Sequence, residues 1–134
     1  MTTKEWLNRA RNIDREIDSL VKSRDMAYAR CFSITQSYSG MAVSGTKDPH
    51  EKFDRLAEYE IIIDQKVDEL TAVKMEIEQA IERVEDVTYR ILLRSRYING
   101  STWEQIAVCM GISYQWVCHI HGEALKLFST VDRS

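Results

Sequence analysis

The residues from Thr102 to Gly122, TWEQIAVCMGISYQWVCHIHG, combine polar side chains that can bind DNA bases with the spacing of two short helices. A glutamine can form two hydrogen bonds with adenine, and a serine can bond to a base edge or to a phosphate. No lysine or arginine occurs in this run, so any base recognition must come from neutral groups. The side chains expected to face the bases are Ser113, Tyr114, Gln115, Cys118 and His119.

Capping residues define the two helices of this run. Thr102 followed by Gln105 is typical of a capping box, and it predicts a helix from Trp103 to Met110. Gly111 can adopt the positive φ of a tight turn, and Ser113 can cap the next helix. The expected core positions are Ile106, Ala107, Met110, Gly111, Ile112, Val117 and Ile120. Together these features predict a helix-turn-helix, whose second helix enters the major groove. The alternative is a helical hairpin without a role in DNA binding.

Cationic side chains flank this run. Residues 87–134 carry five Lys and Arg against three Asp and Glu, a net charge of +2, whereas residues 1–86 carry 13 against 18, a net charge of −5. A field of +2 attracts phosphate only weakly from a single chain, although helix N-termini add N–H donors. The side chains expected to contact phosphate are Arg90, Arg94, Arg96, Thr102 and Lys126.

Two long helices are predicted before this region. Apolar or small residues recur at steps of three and four from Trp6 to Ile34 and again from Phe53 to Val84. Polar residues interrupt the two series at Arg24, Glu60 and Lys74. The second helix has a wide apolar stripe, which favours self-association or packing against the C-terminal domain.

The segment between the two series predicts a loop over about residues 36–49. It contains Ser, Gly and the single proline, and Asp48 can cap the second helix with Pro49 at its first position. A further helix is expected from Asp86 to Ile98, ended by Asn99-Gly100. The predicted fold is therefore all-α. A long antiparallel helical hairpin, a coiled-coil-like arm, occupies residues 1–85, and a helix-turn-helix domain occupies residues 86–134.

The cysteine count and the hydropathy pattern favour a cytoplasmic protein. Cys31, Cys109 and Cys118 are odd in number and form no CxxC pair, as expected for reduced thiols. The N-terminus lacks the apolar run of a signal peptide, and no segment reaches about 18 consecutive apolar residues, so no membrane association is expected.

Metal binding and catalysis are not favoured by the sequence. Of Cys118, His119 and His121, only Cys118 and His121 share a helix face, and no second pair of ligands has zinc-finger spacing. The acidic residues follow the spacing of a solvated helix face, and no glycine-rich phosphate loop is present. We therefore expect no metal, no cofactor and no catalytic residues.

The run YRILLRSRYINGSTWEQIAVCMGISYQWVCHIHGEALKLF resembles region four of sigma factors, which reads the promoter −35 element and touches the polymerase flap. With KEWLNRARNIDREIDSL and SYSGMAVSGTKD, it is similar to small phage and prophage proteins of Gram-positive bacteria related to the RinA and ArpU late-transcription regulators. By this resemblance, Thr102, Trp103 and Glu104 open the supporting helix, and residues 113–121 form the recognition helix. Sigma-like relatives commonly have basic residues where this chain has Cys118 and His119.

The resemblance implies a transcriptional regulator that binds double-stranded DNA in a sequence-directed manner, with host RNA polymerase as a second partner. Two other functions fit the same architecture. One is a DNA-packaging protein similar to a terminase small subunit, since those proteins join a helix-turn-helix to helical oligomerisation segments and form rings. The other is a protein-interaction module that binds polymerase and has no affinity for DNA.

Overall fold

The computed structural model describes the backbone of residues 1–38 and 49–131, and the side chains of residues 1–31, 51 and 53–131. No strand occurs in this part of the chain, and the all-α prediction is confirmed. None of the described helices is both long enough and apolar enough to cross a membrane. The helices are α1 (Thr3–Leu7), α2 (Arg9–Tyr38), α3 (Pro49–Glu82), α4 (Val87–Leu93), α5 (Trp103–Met110) and α6 (Tyr114–Phe128), with a π-helical segment at Arg94–Ile98 between α4 and α5.

The described residues form two compact units. The first unit comprises Met1–Ile13 and Leu70–Ser134, and the second comprises Asp14–Glu69. This division does not coincide with the predicted boundary at residues 85 and 86. The reason is the position of the hydrophobic core, because Leu7 and Ala10 near the N-terminus and Ile77 and Ile81 at the end of α3 pack in one cluster with the C-terminal helices.

In the second unit, ion pairs connect α2 with α3. Arg24 Nη1 lies 3.0 Å from Glu60 Oε1, and Lys66 Nζ lies 3.3 Å from Glu16 Oε1. The earlier residue of α2 pairs with the later residue of α3, so these parts of the two helices run in opposite directions. Arg24 and Glu60, which interrupt the two apolar series, are thus partners.

The segment between α2 and α3 is only partly described. α2 continues to Tyr38, so residues 36–38 are helical and do not belong to the predicted loop. Residues 39–48, including the predicted cap Asp48, lie outside the described residues. Pro49 is the first residue of α3, as predicted. The hairpin as a complete element stays a prediction.

The N-terminus forms a separate short helix. Thr2 Oγ1 accepts a hydrogen bond from Glu5 N at 3.2 Å, and Glu5 Oε2 accepts one from Thr2 N at 2.9 Å. This capping box starts α1 earlier than the apolar series suggested, and Asn8 separates α1 from α2. The Trp6 and Phe128 rings lie 5.7 Å apart between centroids, so α1 packs against the end of α6.

The helix predicted over residues 86–98 has the expected limits and an unexpected last turn. Asp86 Oδ1 accepts hydrogen bonds from Thr88 N (2.8 Å) and Tyr89 N (3.2 Å). The chain then widens into the π-helical segment, and Asn99 N bonds to Arg94 O at 3.0 Å. Asn99 has a right-handed conformation, and Gly100, with a φ of 71°, makes the left-handed turn.

We predict that Leu7 is essential to the stability of the first unit. Its side chain is 0% exposed, so Leu7→Ala should lower the free energy of unfolding by about 2–5 kcal/mol through lost burial and the cavity left behind. Urea denaturation followed by circular dichroism measures this. Val108→Ala is the matched control, because Val108 is 82% exposed and its truncation should change stability by less than about 0.5 kcal/mol. Equal effects of the two substitutions would contradict this packing.

Candidate DNA-binding surface

The turn between α5 and α6 is built by the caps that the sequence predicts. Thr102 Oγ1 accepts a hydrogen bond from Gln105 N at 3.1 Å, and Gln105 Oε1 accepts one from Thr102 N at 2.9 Å. Gly111 ends α5 with a φ of 68°, a left-handed conformation that favours glycine. Ser113 Oγ then accepts a hydrogen bond from Trp116 N at 3.1 Å and caps α6.

Six of the seven predicted core positions belong to the hydrophobic cluster, and the prediction is wrong for Gly111, which makes the turn. Ile106, Ala107, Val117 and Ile120 are buried. Met110 and Ile112 are partly buried against the same cluster, and Gly111 lies exposed at the turn. The packing therefore fixes which face of α6 points inward.

The five predicted base-contact residues lie outside the core. Ser113, Tyr114, Gln115, Cys118 and His119 are all exposed. The rings of Trp116 and His119 stack on this surface, with 4.9 Å between their centroids. The outer surface of α6 up to residue 119 is thus polar, aromatic and without a formal charge.

Tyr114 interacts with Cys118 one turn later. The Cys118 side chain raises the pKa of the Tyr114 phenol, mainly because its thiolate form would repel a phenolate. Tyr114 therefore keeps its proton and can serve as a hydrogen-bond donor.

The three arginines predicted to contact phosphate make contacts within the chain. Arg94 Nε lies 2.5 Å from Glu78 Oε1, and Arg94 Nη2 also pairs with Glu82. The hydrogen bond with Glu78 raises the pKa of Arg94, so its charge is permanent and is balanced by carboxylates. The structure thus places this guanidinium against α3.

Arg90 and Arg96 bind backbone carbonyls. Arg90 Nη1 donates to Val84 O at 2.6 Å and to Glu85 O at 2.9 Å, where these carbonyls follow the end of α3. Arg96 Nη1 donates to Ser101 O at 3.0 Å. The Arg96 guanidinium carbon also lies 4.1 Å from the centroid of the Trp103 ring, a cation–π contact.

Thr102 and Lys126 complete the predicted phosphate contacts. Thr102 is exposed, with its hydroxyl in the capping box. The Lys126 side chain is 78% exposed, and its Nζ lies 3.4 Å from Glu123 Oε1. Lys126 is the one lysine or arginine in α6, every residue of which is described. Its exposure makes its ammonium group available to a ligand.

A buried aromatic cluster supports α6 and was not predicted from the sequence. Tyr97 Oη lies 2.6 Å from His121 Nε2, and the Trp103 and His121 ring centroids are 4.5 Å apart. Burial lowers the pKa of His121 to about 4, with Lys4 and Arg96 adding to the effect, and burial raises the pKa of Tyr97 to about 12. Both groups are neutral at pH 7, so this hydrogen bond joins two uncharged side chains.

The sequence did contain a signal for this cluster. His121 lies four residues after Val117 and three before Ala124, on the apolar face of α6. Cys118 and His121, which were expected to share a helix face, do not lie together, because the histidine is buried and the cysteine is exposed. Among the described residues, no group of three or more metal-ligating side chains is present.

We predict that His121 makes stability depend on pH. An unfolded histidine binds a proton below about pH 6.5, whereas folded His121 does so only near pH 4. The unfolded state therefore binds more protons between these values, and the free energy of unfolding should fall as the pH drops from 7 to 5.

Urea denaturation at pH 7 and pH 5 tests this prediction. His121→Gln should show a smaller loss of stability between the two pH values than the wild-type chain. His119→Gln is the matched control, because His119 is exposed, and it should behave as the wild type does. The same loss in His121→Gln and in the wild type would show that another group is responsible.

Comparison with known proteins gives a family and no function. No curated protein and no solved structure matches the chain. Residues 46–128 match the model of the family described as "Protein of unknown function (DUF1492)", and this region covers more than half of the chain, including α3 and the whole α5–α6 surface. The chain belongs to the DUF1492 family.

Proposed function

We propose that the chain is a phage-type transcriptional regulator that binds DNA in a sequence-directed manner, with α5 and α6 acting as a helix-turn-helix. One observation carries this proposal. Gln115, His119 and the other predicted base-contact residues are exposed on α6, while the opposite face, with Val117 and Ala124, is buried. A helix fixed by one face can present the other to the major groove without rearrangement.

The chemistry of the exposed residues suits base recognition. Gln115 can donate and accept hydrogen bonds at the same adenine, and the protonated Tyr114 phenol can donate to a base or a phosphate. The Ser113 hydroxyl already accepts a hydrogen bond from Trp116 N, but it can still donate its own proton. Neutral groups of this kind give specificity, and they add little electrostatic affinity.

The weak electrostatic attraction favours binding by more than one chain. Among the described residues of the second unit, Cys31 and Ile63 are buried, while several large apolar side chains are exposed: Met26, Tyr28, Phe53, Ile61, Ile62 and Val67. Covering these side chains by a second copy would stabilise the helical arm and bring two α6 helices to one DNA site. Self-association is therefore part of the proposal, as is the relationship to the RinA and ArpU regulators.

A second candidate function is supported by the arginine contacts. Arg90, Arg94 and Arg96 are engaged within the chain, which leaves an aromatic, uncharged surface of the kind that binds proteins. The candidate is a module that binds RNA polymerase without affinity for DNA. It predicts co-elution with a bacterial RNA polymerase and no selection of any sequence from a DNA pool.

We predict that Gln115 contributes to sequence recognition. A preferred duplex is first selected from a randomised pool. Gln115→Ala should then weaken binding to this duplex by about 1–3 kcal/mol, and should change binding to unrelated DNA little, because only the base contact is lost. Fluorescence anisotropy measures both affinities.

Gln65→Ala is the matched control for this experiment, because Gln65 is an exposed glutamine of α3 in the second unit. The Ser113→Ala variant is less informative, because it also removes the cap of α6. If Gln115→Ala binds the selected duplex as tightly as Gln65→Ala does, α6 does not read bases through this residue. Failure of the wild-type chain to select any duplex would overturn the proposed function.

We predict that Lys126 supplies a phosphate contact. Lys126→Ala should weaken binding to all sequences alike and should reduce the slope of log K against log salt concentration by about 0.9, because one phosphate contact is lost. Its ion pair with Glu123 is exposed, so the fold should be unaffected. Lys22→Ala, at an exposed position of α2, is the control. An unchanged slope in Lys126→Ala would place the phosphate contact elsewhere.

A further inference from the structure

Gly122 occupies the interior of α6, where a glycine is less favourable than an alanine because of its backbone entropy. Its φ is not positive, in contrast to Gly100 and Gly111. A Cβ atom built on Gly122 would meet no heavy atom within 4 Å, and the residue is exposed. Neither the backbone conformation nor the packing of the described residues therefore requires a glycine at this position.

Gly122 lies on the exposed side of α6 that carries the proposed base-contact residues Gln115 and His119. At 3.6 residues per turn, Gln115, His119, Gly122 and Lys126 fall within an arc of about 60° on α6. The buried residues of α6, including Ala124, lie on the opposite side. Gly122 thus lies in an outward row with Gln115, His119 and Lys126, and the helix backbone is exposed there because glycine has no side chain.

The His119 ring does not cover this position. It stacks on Trp116, which lies on the other side of His119 from Gly122 around the helix. The bare position is therefore bordered by the His119–Trp116 stack toward the N-terminus of α6 and by the exposed ammonium group of Lys126 one turn later.

We propose that Gly122 is a DNA-contact position, at which the sugar–phosphate backbone of one strand passes directly against α6. This inference rests on the proposed function. Gln115 and Gly122 are about 10 Å apart along the helix axis, a distance comparable with the major groove depth of about 8.5 Å. With Gln115 at the base edges, Gly122 therefore falls where the helix meets the wall of the groove, and Lys126 lies beside the phosphates.

The close approach matters because Lys126 is the single lysine or arginine of α6. Hydrogen bonds and van der Waals contacts act only at short range, unlike charge attraction, so a side chain that holds the strand away would weaken all of them together. A glycine removes that obstacle at the point of closest approach.

The proposal predicts opposite effects on stability and binding. Gly122→Ala should raise the thermal midpoint of unfolding, because alanine favours a helix and its methyl group meets open space. The same variant should weaken binding to the selected duplex about threefold, and Gly122→Leu should weaken it by more than about tenfold, because larger groups displace the strand further. The salt dependence should stay unchanged, since no charge is removed.

Anisotropy titrations and thermal unfolding of the full chain test these predictions. Ser19→Ala, at an exposed position of α2 in the second unit, is the control for improved helix propensity alone, and it should leave binding unchanged. Thermal midpoints at or above that of the wild type show that the Gly122 variants are folded.

The outcomes separate this inference from the proposed function. A wild-type chain that binds no duplex would overturn both. If the wild type selects a duplex and Gly122→Leu binds it equally well, the inference about Gly122 is wrong and the proposed function stands. If Gly122→Leu loses co-elution with a bacterial RNA polymerase and keeps its affinity for DNA, this face of α6 contacts a protein, and the inference is likewise overturned.

Discussion

The buried hydrogen bond between Tyr97 and His121 connects the π-helical segment to α6 and, together with the packing of Val117 and Ala124 in the core, holds one face of α6 inward. Both side chains are neutral in the core, so the contact adds no charge that would need compensation. Trp103 packs against the same imidazole and brings the start of α5 to the cluster. Because this cluster holds one face of α6 inward, the row containing Gln115 and His119 is necessarily outward.

The distribution of charge follows from the same packing. In the first unit, the Arg94 guanidinium group pairs with Glu78 of α3, and those of Arg90 and Arg96 donate hydrogen bonds to backbone carbonyl groups. These contacts stabilise the fold, and Lys126 is the exposed cation of α6. A surface of this kind gains its specificity from hydrogen bonds and close contact, and it gains little from long-range attraction. Several copies on one DNA site would compensate for this weakness.

Features that depend on neighbouring residues could be predicted from the sequence. The caps at Thr102 and Ser113 join groups three positions apart, and the turn at Gly111 requires only one unusual φ. The ion pair of Arg94 with Glu78 joins residues on different helices. Leu7 packs in one cluster with α5 and α6, whose residues lie more than 90 positions later in the sequence. Such contacts depend on the tertiary arrangement, which the periodicity of a single helix does not contain.

The proposed contact between the outward face of α6 and DNA can be measured directly. Nuclear magnetic resonance of the 15N-labelled chain, titrated with its selected duplex, measures this directly. If α6 binds DNA through this face, the largest amide shifts will occur at Gln115, His119 and Gly122, and the second unit over residues 14–69 will show small shifts. Shifts confined to other parts of the chain, with these three amides unchanged, would contradict it.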